Sequence, residues 1–225
     1  MFYLAKANNV HGRCVCYNSD MNEDKVFIYW DNSNIWIAGK SVATDREGQD
    51  ADVRMRIHFQ NLLRLAHGDR DIGRAVAAGS VPPELRHVWN HMENNGVEVY
   101  LLERGAIHGS EQGVDQILQL QMLQDTVDHN GDPGIAVILT GDGRGFGAGT
   151  GFHANLERMR KKGWKVEVLS WQHSCNRRML EWAKDHGKFI ALDDFYESIT
   201  FLEQSSFGNF VAAPRSATPL DLTRR

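Results

Sequence analysis

The feature that most constrains the fold is a series of short apolar runs separated by stretches of helical pattern. Residues 26–30 and 135–139 are each five consecutive apolar or aromatic residues. A strand without alternating polar residues needs cover on both faces, as strands inside a parallel sheet have. Weaker runs predict further strands at residues 72–78, 97–102, 166–169 and 189–192. The chain is therefore expected to contain a buried, mainly parallel sheet.

Helices are predicted between these strands, at residues 51–67, 83–95, 113–129, 152–162 and 175–186, whereas residues 35–50 are predicted to form a loop. Strands that alternate with helices favour a three-layer α/β/α architecture with right-handed crossovers. The expected organisation is an N-terminal extension over residues 1–25, one domain over 26–203 and a C-terminal tail over 204–225.

Composition excludes several classes of protein. The net charge of −4 argues against a generally basic nucleic-acid coat protein, but it leaves room for a local basic patch or for metal ions. Three cysteines, Cys14, Cys16 and Cys175, are too few and odd in number for a disulfide framework, which predicts reduced thiols and a cytoplasmic location. No apolar run approaches the roughly 20 residues that span a bilayer, and no signal peptide is recognised.

Three aspartates follow strands or begin helices. Asp31 comes directly after the first strand, Asp142 follows residues 135–139, and Asp115 lies in the first turn of a predicted helix. In parallel sheets, sites gather at the carboxyl ends of the strands. Each residue also has an ordinary explanation: Asp31 and Asp142 suit turns, and Asp115 complements a helix dipole.

If these strands are neighbours, the three carboxylates share one edge of the sheet and repel one another. A hard divalent cation that prefers oxygen ligands, Mg²⁺ or Mn²⁺, relieves this repulsion. Such an ion orients water, lowers its pKa and stabilises charge on a phosphoryl oxygen. The pattern therefore predicts a metal site suited to phosphodiester chemistry.

Three segments, in the same order, resemble the motifs of NYN-domain proteins. Residues 27–34 resemble the opening strand that ends in Asp-x-x-Asn, here Asp31 and Asn34. Residues 111–115 resemble the Lys-Gly-Val-Asp helix start that ends at Asp115, and residues 139–143 resemble the Ser/Thr-Gly-Asp motif that ends at Asp142. Residues 162–168 match the helix-Gly-strand pattern that follows, so the resemblance spans about residues 26–195.

The resemblance implies a PIN-like fold and a metal-dependent ribonuclease that acts on single-stranded or structured RNA. Asp31, Asp115 and Asp142 match the positions of the metal ligands. Asn34 and Thr140 match positions that orient ligands or water, and Thr140 is also a candidate substrate contact.

The chain departs from the family pattern after the third motif. The family often has a further Asp there, as Ser-Gly-Asp-x-Asp-Phe, whereas this chain has Arg144 at that point and no acid. The loss leaves three alternatives: one metal suffices, Asp193 or Asp194 substitutes, or activity is weak or lost. Asp193 and Asp194 are equally explained as an ordinary polar loop.

Several basic and aromatic residues are candidate substrate contacts: Lys40, Arg144, Arg177 and Arg178, with Trp36 beside Lys40 and Asn176 beside the two arginines. A basic run over residues 158–165 suits an RNA backbone, with Trp164 stacking a base, although a solvated helix face explains it as well. His153 is either a phosphate contact or a polar neighbour of a helix start. The glycine-rich residues 141–151 give a minor nucleotide-binding alternative without a Walker motif.

The leading hypothesis is an endoribonuclease that uses Mg²⁺ or Mn²⁺ and has RNA as its partner. The second is a catalytically weak PIN-like module that binds RNA or protein, and the third is a phosphate-binding enzyme such as a nucleotidase. The sequence does not decide between a monomer, a homodimer and a complex with another protein.

Overall fold

A computed structural model describes residues 24–80, 86–102, 110–141, 149–207 and 210–225. Its centre is a six-stranded sheet in which every pairing is parallel and the strand order is β4-β3-β1-β5-β6-β7. The strands are β1 (Val26–Asp31), β3 (Ile72–Ser80), β4 (Glu98–Leu102), β5 (Ile135–Leu139), β6 (Lys165–Ser170) and β7 (Lys188–Ala191). The α/β fold of the PIN-like kind is confirmed, and β1 and β5, the two apolar runs, are central neighbours.

Alternate side chains of β1 enter two separate cores, one on each face of the sheet. Val26, Ile28 and Trp30 belong to the first core, whereas Phe27 and Tyr29 belong to the second. Both cores are covered by helices, which explains why β1 has no polar alternation. The helices are α1 (Asn32–Glu47), α2 (Ala51–Arg54), α3 (Phe59–His67), α4 (Arg86–Glu93), α5 (Ser110–Asp128), α6 (Gly151–Lys161), α7 (Arg177–His186) and α8 (Tyr196–Ile199).

The prediction of a loop over residues 35–50 is wrong, because α1 occupies residues 32–47. Asp31 is its N-cap, and the side chain accepts a hydrogen bond from the Asn34 amide. A capping aspartate and a turn aspartate have the same sequence signature, so the polar Asp-Asn-Ser-Asn segment alone does not distinguish a helix start from a turn. The buried face of α1 consists of Ile35, Gly39, Val42 and Ala43, a narrow stripe of mostly small residues that does not stand out in the sequence.

The single helix predicted over residues 51–67 is also wrong. The segment divides into α2, a short strand β2 (Met55–Ile57) and α3. The strand pairs in antiparallel fashion with β8 (Thr200–Leu202), which lies more than 140 residues further along the chain. Local sequence favours a helix here, and a long-range pairing overrides it.

The C-terminal residues, predicted to be a tail, contain structure and contact the domain. They include β9 (Ser205–Phe207), β10 (Phe210–Ala212) and a short 3₁₀ helix (Leu222–Arg224). Leu220 and Leu222 pack against the first core, and the Arg225 guanidinium is bound to the Glu167 carboxylate. The boundary at residue 204 stays a prediction, as does the extension over residues 1–25, of which only residues 24–25 are described.

The remaining elements lie close to their predicted positions, and β5 matches its prediction residue for residue. Trp89 and Trp182, predicted to be packing residues, are both buried. Cys175 is a free, buried thiol, whereas Cys14 and Cys16 lie outside the described residues. Within the described ranges, the helices are all too short or too polar to cross a membrane.

Candidate functional site

The candidate site is built where β1 and β5 end side by side. Asp31 is the last residue of β1 and is only 3% exposed. Its Oδ1 accepts a hydrogen bond of 3.0 Å from the Asn34 amide, and its Oδ2 accepts one of 3.2 Å from the Thr140 hydroxyl. Thr140 follows β5 directly and is fully buried. The sheet therefore joins two of the sequence motifs through a buried carboxylate.

Asn34 makes a second connection between the same two motifs. Its carboxamide oxygen accepts a hydrogen bond of 2.7 Å from the Gly141 amide. A Cβ at Gly141 would lie 3.0 Å from the Ser174 carbonyl oxygen and 3.1 Å from the Asn34 Oδ1, so the space admits only glycine without displacement. The peptide immediately before Asp142 is consequently fixed beside α1.

Asp115 lies near the start of α5 and is half-buried. Val114 and Leu118 hold this helix in the second core, which also contains Tyr29 of β1. Further along α5, Asp125 accepts a hydrogen bond of 2.8 Å from the Tyr29 hydroxyl. Asp115 is about 15 Å from Asp125 along the helix, toward the N-terminus of α5. Because α5 follows β4 and precedes β5, that direction leads to the carboxyl ends of the parallel strands.

Asp142 and Arg144 lie outside the described residues. In the part of the chain that is described, no group of three or more His, Cys, Asp or Glu side chains is close enough to hold a metal ion. The structure thus places Asp31, Asn34 and Thr140 together and fixes the residue before Asp142. The assignment of Asp31, Asp115 and Asp142 to one metal stays a prediction.

Lys40 and Trp36 lie on α1 rather than in the predicted loop. They are one helical turn apart, and the Lys40 Nζ is 4.2 Å from the centroid of a Trp36 ring. Ile37, between them, is 52% exposed. This cation–π pair presents positive charge and aromatic surface in the second and third turns after Asp31.

The residue before α7 contacts the candidate site through a backbone hydrogen bond. The Asn176 amide donates to the Gly141 carbonyl oxygen at 3.0 Å. The Asn176 side chain caps α7, accepting hydrogen bonds of 3.0 Å and 3.4 Å from the amides of Arg178 and Met179. Arg177 is largely exposed and pairs with Glu181 at 2.8 Å. The two arginines therefore lie near the site, and the Asn176 carboxamide oxygen caps the helix that carries them.

The hypothesis that Trp164 stacks on a base is wrong, because its side chain is buried. Its ring packs edge-on against Phe27 at 4.8 Å and against His129 at 5.3 Å. Trp164 immediately precedes β6, so it lies at the amino ends of the strands, opposite Asp31. Lys165 pairs with Asp24 at the same end. The end of the basic run at Lys165 therefore lies away from the candidate site, whereas Arg158 donates to the Gly149 carbonyl oxygen just before α6.

Asp193 and Asp194 belong to a 3₁₀ helix (Leu192–Phe195) that follows β7. The Asp193 Oδ2 accepts a hydrogen bond of 2.6 Å from the Gln172 amide. Since β7 is three strands from β1, about 14 Å lies between the two strand ends. The spacing does not favour either residue as a ligand of an ion bound by Asp31.

His153 lies in the first turn of α6 and is buried, with its ring centroid 4.8 Å from that of Trp182. Burial lowers the pKa of His153 below the usual histidine value, which favours the neutral form. The contacts indicate a packing role instead of a phosphate contact.

Sequence reasoning missed Trp171, the first residue after β6. Its indole N–H donates to the Ile35 carbonyl oxygen at 2.8 Å, and the side chain is fully buried. No pattern in the sequence marks this contact, because it joins residues 136 positions apart. The sequence signal that could have drawn attention to Trp171 is its position directly after a strand of a parallel sheet.

A parallel α/β sheet with Asp31 and Thr140 at neighbouring strand ends is consistent with a PIN-like fold. The model of the NYN domain matches residues 25–193, and the chain belongs to this family, part of a superfamily of nuclease type. Asp31, Asn34, Asp115, Thr140 and Asp142 all fall within the matched residues.

Comparison with solved structures supports the fold. The crystal structure of a protein of unknown function from Vibrio parahaemolyticus RIMD 2210633 aligns with a TM-score of 0.56 at 17% identity. The alignment covers 78% of this chain and 97% of the other. No curated protein matches the chain significantly.

Proposed function

We propose that this chain is a metal-dependent endoribonuclease that hydrolyses RNA phosphodiester bonds in the cytoplasm. Asp31, Asp115 and Asp142 are the proposed metal ligands, and Asn34 and Thr140 orient them. One observation carries the proposal: the Asp31 carboxylate is buried where two family motifs meet and is held by hydrogen bonds from Asn34 and Thr140. The membership in a nuclease-type superfamily supports it independently.

The chemistry of the available donors fits a hard cation. Carboxylate, carboxamide and hydroxyl oxygens surround the end of β1, and Mg²⁺ and Mn²⁺ prefer oxygen ligands. A carboxylate has about four acceptor positions, so two hydrogen bonds to Asp31 are compatible with metal ligation. A bound ion supplies Lewis-acid stabilisation of phosphoryl charge and lowers the pKa of water.

The protein's own contribution is to hold these donors rigidly and to bind the substrate. Asn34 and Thr140 fix the Asp31 carboxylate and the Gly141 peptide before any substrate arrives. Preorganised donors act more strongly than donors that must reorient during the reaction. Lys40, Arg177 and Arg178 are the proposed contacts to RNA phosphates on either side, together with Arg144.

The proposal is tested with purified protein, fluorescently labelled single-stranded RNA and either Mn²⁺, Mg²⁺ or a chelator. We expect cleavage with metal, none with chelator, and loss of cleavage in Asp31→Asn and Asp142→Asn. The matched control is Asp45→Asn, which removes the same charge from an exposed position on α1. Circular dichroism establishes that each variant is folded.

The outcomes separate the alternatives. RNA that stays intact with every metal but shifts on a native gel would identify a binding module, as the missing fourth acid suggests. Hydrolysis of free nucleotides without RNA cleavage would identify a nucleotidase. Equal activity in Asp31→Asn and Asp45→Asn would remove Asp31 from the site.

A further inference from the structure

The loop between β6 and α7, residues 171–176, contacts both halves of the candidate site. At one end of the loop, the Trp171 indole donates to the Ile35 carbonyl in α1. At the other end, the Asn176 amide donates to the Gly141 carbonyl after β5. Between them, the amides of Ser174 and Cys175 donate to the Trp171 carbonyl at 3.2 Å and 3.0 Å. The loop is thus a closed turn that links α1 to the end of β5.

The contact between Trp171 and α1 is unusually close because residue 39 is glycine. A Cβ at Gly39 would lie 3.2 Å from the Cζ2 of Trp171 and 3.0 Å from the Cε of Met55. The indole therefore lies against the helix backbone, one turn after the carbonyl to which it donates. Trp171 thus contacts two successive turns of α1, at Ile35 and at Gly39.

The position of α1 determines whether the site forms. Asp31 and Asn34 are the N-cap and first-turn residues of this helix, and their partners Thr140 and Gly141 directly follow β5. These contacts are 3.2 Å and 2.7 Å long, so a displacement of α1 by about 1 Å breaks them.

We propose that Trp171 is a positioning residue that holds α1 against the end of β6 and thereby keeps Asp31 and Asn34 in contact with Thr140 and Gly141. An effect of Trp171 on metal binding rests on the proposed function. Its effect on the position of α1 does not. Trp171 lies behind the helix backbone and touches no reacting atom. A residue that orients metal ligands changes metal affinity by changing the positions of those ligands.

The experiment compares Trp171→Phe with the control Trp182→Phe. The first variant removes the indole N–H and part of the ring, whereas the second truncates a similarly buried tryptophan on α7 in the other core. Gly39→Ala is the complementary variant: it keeps the indole donor but adds a methyl group 3.2 Å from Trp171, a tight contact between the indole and α1, while alanine raises helix propensity by about 1 kcal/mol.

Two readouts are measured for each variant. Hydrogen exchange of the Gly141 amide, without metal, reports the coupling itself, because this amide donates to the Asn34 side chain on α1. The Mn²⁺ dissociation constant, from electron paramagnetic resonance, reports the metal site. We expect the Gly141 amide to exchange faster and the dissociation constant to rise about tenfold in Trp171→Phe and Gly39→Ala, but not in Trp182→Phe.

The two proposals fail in different ways. Unchanged exchange at Gly141 in Trp171→Phe, with only a lower melting temperature, would overturn the positioning role. If wild-type protein binds no Mn²⁺, the proposed function fails, and the exchange rates alone then decide whether Trp171 positions α1. A raised dissociation constant in Trp182→Phe as large as in Trp171→Phe would also overturn the inference.

Discussion

The two ends of the sheet hold buried carboxylates in different ways. At the carboxyl end, Asp31 accepts hydrogen bonds from a backbone amide and a threonine hydroxyl, both neutral donors. Toward the amino end, Glu167 of β6 accepts two hydrogen bonds of 2.9 Å from the Arg70 guanidinium and a further one from Arg225. Both carboxylates are largely buried, at 3% and 7% exposure.

The difference suggests that the two ends of the sheet have different roles, one in stability and one in metal binding. Guanidinium groups neutralise Glu167 and use both of its oxygens, so this cluster connects β6 to the segment before β3 and to the C-terminal residue. Its contribution is to stability. The Asn34 amide and the Thr140 hydroxyl orient the Asp31 carboxylate, and orientation of a carboxylate by hydrogen bonds is what an ion-binding ligand needs. Substitutions at the two ends should therefore separate stability from metal affinity.

The largest stability effect is expected from Glu167→Ala. Removal of one partner leaves two mostly buried guanidinium groups without their carboxylate, and such a change costs about 3–5 kcal/mol. Urea unfolding measures the loss. The Mn²⁺ affinity of the remaining folded protein should be unchanged, since the cluster is remote from Asp31. A loss below about 1 kcal/mol, or weaker Mn²⁺ binding, would contradict the division between the two ends.

A smaller stability effect and a larger functional one are expected from Asn34→Ala. The variant removes the acceptor of the Gly141 amide, and an unsatisfied, partly buried amide costs about 1–3 kcal/mol. RNA cleavage should fall by about 10- to 100-fold, as expected when a residue that orients a ligand is lost. Asn34→Asp is the control, because it keeps an oxygen at the same position; equal loss in both variants would show that the oxygen contact to Gly141 is not what matters.

The pH dependence of unfolding should distinguish wild type from Glu167→Gln. Burial raises the pKa of Glu167, but Arg70 and Arg225 outweigh burial, and the net pKa is lowered below the usual glutamate value. A carboxylate with a lowered folded pKa stabilises the protein above its unfolded pKa, near 4.5, and this stability is lost as the pH falls through the folded value. The stability gap between the two proteins, measured by urea unfolding, should shrink as pH falls below 4.5. A constant gap would exclude the ion pair as its source.

The sequence predicted the central sheet because burial on both faces leaves a local signature. The five-residue runs of β1 and β5 contain no polar alternation, and their cores occupy both sides of the sheet. The same rule predicted that acids after parallel strands share an edge. Their adjacency depended on strand order, which the sequence does not contain, and the structure supplies it for Asp31 and Thr140.

The features that the sequence did not predict depend on contacts between distant residues. Strand β2 exists because β8 pairs with it, and the C-terminal residues are held because Arg225 reaches Glu167, 58 positions away. Likewise, Trp171 reaches Ile35 through a backbone carbonyl, which carries no residue-specific signal. Periodicity describes the burial of one element and contains no information about its partner.

The smallest effect is expected at two lysines, Lys40 and Lys161, through the salt dependence of RNA binding. Each phosphate contact to single-stranded nucleic acid contributes about 0.7 to the slope of log affinity against log salt concentration. Lys40→Ala should reduce the slope by about this amount if Lys40 contacts a phosphate near Asp31. Lys161→Ala, at the C-terminal end of α6 and the opposite end of the sheet, should leave the slope unchanged.

Fluorescence anisotropy with labelled RNA in a chelator buffer measures both slopes without cleavage. A reduced slope in Lys161→Ala with none in Lys40→Ala would place the RNA at the amino end, where Glu167 and its arginines lie, and would break the assignment of tasks to the two ends.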